Sequence, residues 1–473
     1  VAGPLPDAPR GDARARDARG RLIDPFGELW GSARALRALL LGAPEESTRL
    51  AITGLSRAGK TVFGTALAAN LLAAPADPRR LAKLPAAADG RIRAVRQVPP
   101  AAAPAFPLAD ALAALSGDSS GALAGDAIWP RPTTKLAELA LEIEVEARDT
   151  AWLERELDRT RRTVRLSLVD YPGEWLLDVP MLDMSFAQWS AAELARARTP
   201  ARAPFAAAWL ATLGDPETAV PAYRAYLQAC RQAGLVALTP GRFLNPDDWH
   251  GAPFLEFCPW PDAGGAPRPG SVGAIMAAHF ATYQDRTRRD FLEPHLARFD
   301  AQVVLVDLFG ALAAGAASFA ETAEALAAIT RVLRPEASWW SMLGLGAPPA
   351  LPVFAATKAD YVPASQRGQL AALLRHLVGE TAQVATVAAI RCTEDTVITD
   401  RFRPQEAVAG LVDGRREAFW FAGGVPVERP AEAWFDHRYA VPTFAPPAFE
   451  PARGLSHLNL DGVLGLAVPG VFA

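Results

Sequence analysis

The chain has 473 residues, a formal net charge of -4, and half of its residues are apolar. That length allows two to four domains, or one domain with large insertions, and the apolar share can fill a sizeable core. The charge excludes a basic face for nucleic acid, no apolar run is long enough to cross a bilayer, and the six histidines are scattered. Cys230, Cys258 and Cys392 are far apart and fit neither zinc spacing nor a disulfide framework, which points to a reducing compartment.

Residues 1–24 alternate Arg, Asp, Pro and Gly, lack the apolar core of a signal peptide, and read as a disordered tail. Residues 25–48 read as an N-terminal helix. Phe26, Leu29, Trp30, Leu36 and Leu39 recur near helical spacing, with Arg34 and Arg37 between them. Such a face suits core packing first and a membrane surface second.

Arg49–Thr53 is a short buried strand, and Thr61–Leu72 reads as a helix. Between them, Gly54-Leu55-Ser56-Arg57-Ala58-Gly59-Lys60-Thr61 fits the phosphate-binding pattern G-x-x-x-x-G-K-[ST]. The amides from Ser56 to Val62 can cradle phosphate oxygens at a helix N-terminus. Lys60 would reach the β- and γ-phosphates, and the Thr61 hydroxyl would ligate Mg²⁺. A chance glycine-rich turn is the bland alternative, but strand, loop and helix all fall where the motif needs them.

Residues 75–132 show little periodicity and read as a long irregular connection, functional or mobile. Leu139, Leu141, Ile143 and Val145 alternate with polar or small residues as a strand does. Residues 149–161 read as helix or turn, and Thr163–Val169 as a second strand. The two strands would pair antiparallel as one edge of the sheet. The second delivers Asp170-Tyr171-Pro172-Gly173-Glu174, a D-x-x-G after a buried strand. Asp170 would hold Mg²⁺ through water and the Gly173 amide would sense the γ-phosphate; a simple strand-end turn is the alternative.

Residues 176–299 read as a mainly helical insertion. The aromatics around Phe254–Pro261 suit a satellite core better than a binding surface. Strand and helix then alternate through 302–307, 319–333, 351–356, 363–378 and 384–390. This order predicts an α/β fold with a mostly parallel sheet, helices on both faces, and ligand at the carboxyl ends of the strands. Thr357-Lys358-Ala359-Asp360 falls at such an end as a variant of the guanine-reading N-K-x-D loop. Guanine offers two donors on one edge, N1–H and the exocyclic amine, and one carboxylate, Asp360, can accept both. The Lys358 stem would lie over the base, and Thr357 would tie this loop to the P-loop. Arg391 and Cys392 fall where a last base-contacting loop belongs. Residues 394–452 read as a small β-rich insertion and 453–473 as a closing helix.

The P-loop, the run Val169–Asp178 (V-D-Y-P-G-E-W-L-L-D) and Ala355–Asp360 together resemble the YcjX-like family of bacterial P-loop GTPases. Pro240–Phe243, Arg298–Asp300 and Val304–Asp307 agree, and the resemblance covers nearly everything from Arg49 onward. It implies a Ras-like P-loop NTPase core, formed by 49–175 and 300–393, binding GTP and GDP with Mg²⁺ and hydrolysing GTP slowly. It also implies a link to bacterial envelope or stress responses, a cytoplasmic place peripheral to the inner membrane, and a small membrane protein or other effector as partner. In that frame Trp129–Thr134 would be switch I, with Thr133 or Thr134 on Mg²⁺, and Gly173–Asp178 switch II. Glu174 stands where many GTPases carry a water-positioning Gln, and a carboxylate there repels the γ-phosphate. Arg131 and Arg57 are candidate arginine fingers, with a solvated structural Arg as the bland reading of each. The residues leave three activities open: slow GTP hydrolysis, a nucleotide-gated scaffold that barely hydrolyses, and a P-loop ATPase or small-molecule kinase.

Overall fold

Alternation of apolar residues along each strand builds the molecule. In the computed structural model, β1 (Glu46–Gly54) sends Leu50 and Ile52 to one face and Ala51 to the other. β5 (Ala301–Val306) divides Val303 and Leu305 from Val304 and Val306 in the same way. Both faces are therefore covered, as a parallel sheet requires. The structure describes residues 46–115, 129–130, 135–146, 161–261, 269–334, 351–400, 403–412, 416–420, 424–436, 441–447, 449 and 454–472. The tail and the N-terminal helix expected over 1–48 therefore lie almost wholly outside it, as do residues 149–160.

The main sheet has seven strands in the order β2-β3-β4-β1-β5-β6-β7. The others are β2 (Ile92–Val98), β3 (Ala137–Glu146), β4 (Arg161–Asp170), β6 (Val353–Ala356) and β7 (Gln383–Thr386). β1, β5, β6 and β7 pair in parallel, while β2, β3 and β4 are joined antiparallel. On one face lie α1 (Lys60–Ala73), α2 (Leu108–Leu115) and the closing helix, whose Leu460, Val463 and Leu464 join the core of Phe63, Leu67 and Leu71. On the other lie α9 (Ala316–Leu333) and α10 (Arg367–Val378).

The expected mostly parallel α/β sheet is present. Two details differ from the reading of the sequence. Residues 75–132 are not an irregular connection throughout, since they contain β2 and α2. The sheet edge is accordingly β2, and β3 is an interior strand. β2 carries Arg93 and Arg96, which pair with Glu146 and Glu142 of β3. Charges facing outward on an edge strand mask its period and also guard it against pairing with another chain. The last strand also stops at Thr386 rather than continuing to Ile390.

Between β4 and β5 the chain is helical: α3 (Glu174–Leu177), α4 (Phe186–Ala197), α5 (Ala203–Leu210), α6 (Pro216–Gln232) and α7 (Val272–Thr287), with 3-10 turns and a π-helical turn at Arg288–Leu292. α4 begins with a capping box between Ser185 and Gln188. These helices enclose a separate aromatic core in which Trp209 lies 4.7 Å from Tyr223 and Trp189 lies 5.2 Å from Phe280, ring to ring. Phe257, Cys258 and Trp260 are buried in it, so that segment is core and not a binding face. β8 (Thr393–Asp400), β9 (Arg403–Val412) and β10 (Arg416–Trp420) form a small antiparallel sheet. Among the described residues, no helix is long and apolar enough to cross a membrane.

Candidate functional site

The P-loop leaves β1 at Gly54 (φ 155°) and enters α1 at Gly59 (φ 83°). A Cβ at Gly54 would lie 2.2 Å from the Leu305 carbonyl oxygen, so only glycine lets the loop pass β5. Gly59 is the N-cap of α1; no side chain caps the helix and no acidic residue sits in its first turn. An uncapped helix N-terminus following a glycine-rich loop suits an anion. Lys60 folds back over the loop and donates to the Gly54 carbonyl at 2.9 Å and the Leu55 carbonyl at 3.4 Å.

This loop opens on a cavity of about 800 Å³, within the usual range for small-molecule sites. Ser56, Arg57, Ala58, Gly59 and Val62 line one end; Thr357, Lys358, Asp360 and Cys392 line the other. Asp360 is buried at 2 % exposure and accepts the Cys392 amide at Oδ2, 2.8 Å away. Burial pushes its carboxyl up to about 6, against the Cys392 amide and the charges of Arg367 and Arg391, which pull it down. Lys358 adopts a left-handed backbone (φ 56°) and pairs with Asp307, which also caps α8 (Leu308–Ala314) through the Gly310 amide.

Two expected contacts take another form. The Thr357 hydroxyl donates to the Val306 carbonyl of β5 at 3.2 Å instead of reaching the P-loop, because a hydroxyl on Cβ is shorter than an amide side chain. Arg391 does not line the cavity; its guanidinium turns to Glu394 (2.7 Å) and Asp395 (3.3 Å). Cys392 does line it, and burial raises its thiol well above the ordinary value.

A second cavity of about 540 Å³ adjoins the first, sharing Ser56, Arg57, Gly59, Val62 and Arg231 with it. Lys60, Thr61, Pro130 and Glu174 line it as well. Asp170 ends β4 at 2 % exposure, and the next amide, of Tyr171, donates to Ile52 of β1. The carboxyl end of β4 thus meets the P-loop strand. The Thr61 hydroxyl and Asp170 carboxylate are hard oxygen donors of the type Mg²⁺ takes when phosphates and water complete its shell, so the residues present fit that ion. Gly173 is pressed on the P-loop, where a Cβ would lie 2.1 Å from the Gly54 carbonyl oxygen. Arg131, Thr133 and Thr134 lie outside the described residues.

Beyond Glu174 the chain is clamped to the helical region. Asp178 is fully buried and accepts from the Gly241 amide (2.7 Å) and the Tyr283 hydroxyl (2.6 Å). Burial pushes its carboxyl up to about 7, with those two bonds and Arg242 opposing. The Arg242 guanidinium lies 3.6 Å from the Trp175 ring centroid and 4.0 Å from that of Trp249, a cation between two aromatic faces. Reading the sequence missed Asp307 and Arg231. Asp307 carries a cue, a strand end followed by Gly at the third position, as in an N-cap. Arg231 has none, because only the folded chain brings α6 to the P-loop.

Against this geometry the comparisons are specific. The model of the YcjX-like family, DUF463, matches residues 48–468. The chain is similar to a protein of Escherichia coli (strain K12) named Ras-like GTPase YcjX, 31% identical over an alignment of 464 positions that covers 91% of this chain and 97% of that protein. It is also similar to the Ras-like GTPase YcjX of Shewanella oneidensis, 30% identical over an alignment of 472 positions that covers 90% of this chain and 95% of that protein. With the family model spanning most of its length and two full-length relatives at this identity, the chain belongs to the YcjX-like family.

Proposed function

We propose that the chain is a guanine-nucleotide-binding switch that binds GTP and GDP with Mg²⁺ and hydrolyses GTP slowly. The observation that carries this reading is the single 800 Å³ cavity, with the uncapped P-loop helix at one end and the buried Asp360 carboxylate at the other. The P-loop amides and Lys60 hold phosphates, and Thr357, Lys358, Asp360 and Cys392 receive the base. Thr61, Asp170 and Thr133 or Thr134 would hold Mg²⁺, which supplies charge neutralisation at the phosphates. Glu174 orients water, Gly173 senses the γ-phosphate, and Arg131 is a candidate finger. The proposed core is 49–175 with 300–393; 176–299 and 394–452 are insertions, and 453–473 returns to the core.

The names of the relatives support GTP as the nucleotide. The place in a bacterial stress or envelope response, at the cytoplasmic side of the inner membrane beside a small membrane protein, rests on the family resemblance alone. One observation favours a second reading, a nucleotide-gated scaffold with negligible hydrolysis: an acidic residue, Glu174, lines the adjoining 540 Å³ cavity with Lys60 and Thr61. Calorimetric titration of GDP, GTP and ATP with Mg²⁺ into the native chain and Asp360→Ala tests the assignment. Guanine preference should collapse in the variant, because two hydrogen bonds to a charged group are lost. Equal binding of ATP, or no effect of the substitution, refutes it and moves the ATPase reading to first place. Turnover of bound GTP separates the switch from the scaffold.

A further inference from the structure

Hydrolysis at this site needs positive charge where the γ-phosphate sheds its bond to GDP. Lys60 serves the phosphates from the P-loop side, but Glu174 brings a negative charge to the same small cavity. A second cation on the opposite wall would offset it. Most arginines near the site are already committed. Arg242 is held between two indoles, Arg202 is paired with Glu321, and Arg391 and Arg367 are paired with Asp395.

Arg231 differs. It stands in the last turn of α6, is half-buried, and lines both cavities at the P-loop. Its side chain makes no hydrogen bond or ion pair with another described residue. The chain just beyond it is fixed to the sheet layer. The Gly234 carbonyl accepts the Ser318 hydroxyl of α9 at 3.2 Å, and the Val236 and Ala237 amides both donate to Glu321 of α9 at 3.2 Å. Arg202 closes the latch by bonding Glu321 at 2.6 and 2.8 Å and the Ala237 carbonyl at 2.6 Å. An otherwise uncommitted guanidinium is thus delivered to the phosphate cavity by a helix end whose position is set in advance. Preorganised charge of this kind is what stabilises a transition state.

We propose that Arg231 is a catalytic residue, an arginine finger supplied in cis by the helical region. This rests on the GTPase reading above. In the step it serves, water oxygen forms a bond to the γ-phosphorus while the bond to the β–γ bridging oxygen breaks. The electron pair of that bond stays on GDP, and the proton lost by the attacking water leaves with inorganic phosphate or solvent. The Arg231 guanidinium stabilises the negative charge growing on the bridging and γ-oxygens, at the side that Lys60 does not cover.

The test uses the full chain with GTP and Mg²⁺ and compares single-turnover hydrolysis in the native protein, Arg231→Ala and Arg231→Lys. Removing one such charge should slow hydrolysis on the order of 10²- to 10³-fold, with GDP affinity changed less than about threefold. Lys should not restore the rate, because an ammonium lacks the planar fork. GDP with fluoroaluminate, which mimics the planar phosphoryl group, should be retained by the native chain and lost from both variants. An unchanged rate in Arg231→Ala overturns the proposal while leaving the GTPase reading intact. So does a loss of rate that a loss of GDP affinity fully mirrors. Absence of turnover in the native chain overturns the GTPase reading and the proposal with it.

Discussion

Lowering the pH from 7.5 to 5 should weaken GDP binding to this chain about tenfold through Asp360 alone. On the proposed reading the carboxylate must be charged to accept both guanine donors, and a protonated acid would present a donor of its own to one of them. Burial has raised this group to about 6. The free protein therefore holds it about 97% ionised at pH 7.5 and only about 9% ionised at pH 5, so binding at pH 5 must also expel a proton. That costs about 1.4 kcal/mol, one decade of affinity. The sign follows from the direction of the shift: a raised acid loses its charge, and with it the base contact, as the pH falls through its own value. The assay is titration calorimetry of GDP across pH 5 to 7.5 on the native chain and Asp360→Asn. The GDP phosphates titrate in the same window, and the Asn variant carries that background without the carboxylate. The native profile should fall more steeply by about one decade. Parallel profiles would refute the reasoning, because the carboxylate would then not be the group that reads the base.

Other perturbations have equally direct readouts. Gly173→Ala places a Cβ 2.1 Å from backbone oxygen of Gly54, so the loop must move; a displacement near 1 Å should cost about 10²-fold in GTP turnover, measured beside a thermal melt that checks the fold. Arg202→Met strands Glu321, whose side chain is only 10% exposed, and should cost about 3–5 kcal/mol in urea unfolding; adding Glu321→Leu should recover most of it, and a double variant no better than the single would contradict this account. Asp178, raised to about 7, binds its proton more tightly folded than unfolded, so stability is highest at low pH and falls as the pH rises through 7. From pH 6 to 8 the loss should be about 1.4 kcal/mol, and Asp178→Asn should flatten it in paired melts.

The sheet could be read because its buried strands are apolar on both faces, and the candidate ligand loops stood out because each motif sits directly at a strand end. Ile52, Val304 and Phe354 carry the first signal; Gly54, Asp170 and Asp360 carry the second. β2 escaped because Arg93 and Arg96 interrupt its apolar period, and their partners Glu146 and Glu142 lie some 50 residues away. The candidate site was legible only where one local segment supplies the chemistry. Asp178 lay inside a recognised run, but its partners Gly241 and Tyr283 come from elements far along the chain. Arg231 looks like any charged residue at a helix end until α6 is folded against the P-loop. Arg391 shows the opposite error, since position after a strand did not reveal that Glu394 and Asp395 claim its guanidinium.

The guanidinium held between Trp175 and Trp249 makes the protein its own optical probe. Trp175 follows Glu174, which lines the smaller cavity, whereas Trp249 belongs to the helical region. Any sliding of one part past the other pulls an indole off the cation and changes its emission. The chain contains twelve tryptophans, so the difference between the native protein and Trp249→Phe isolates this pair. Stopped-flow fluorescence could then time the movement without a dye, in the same cuvette that times phosphate release.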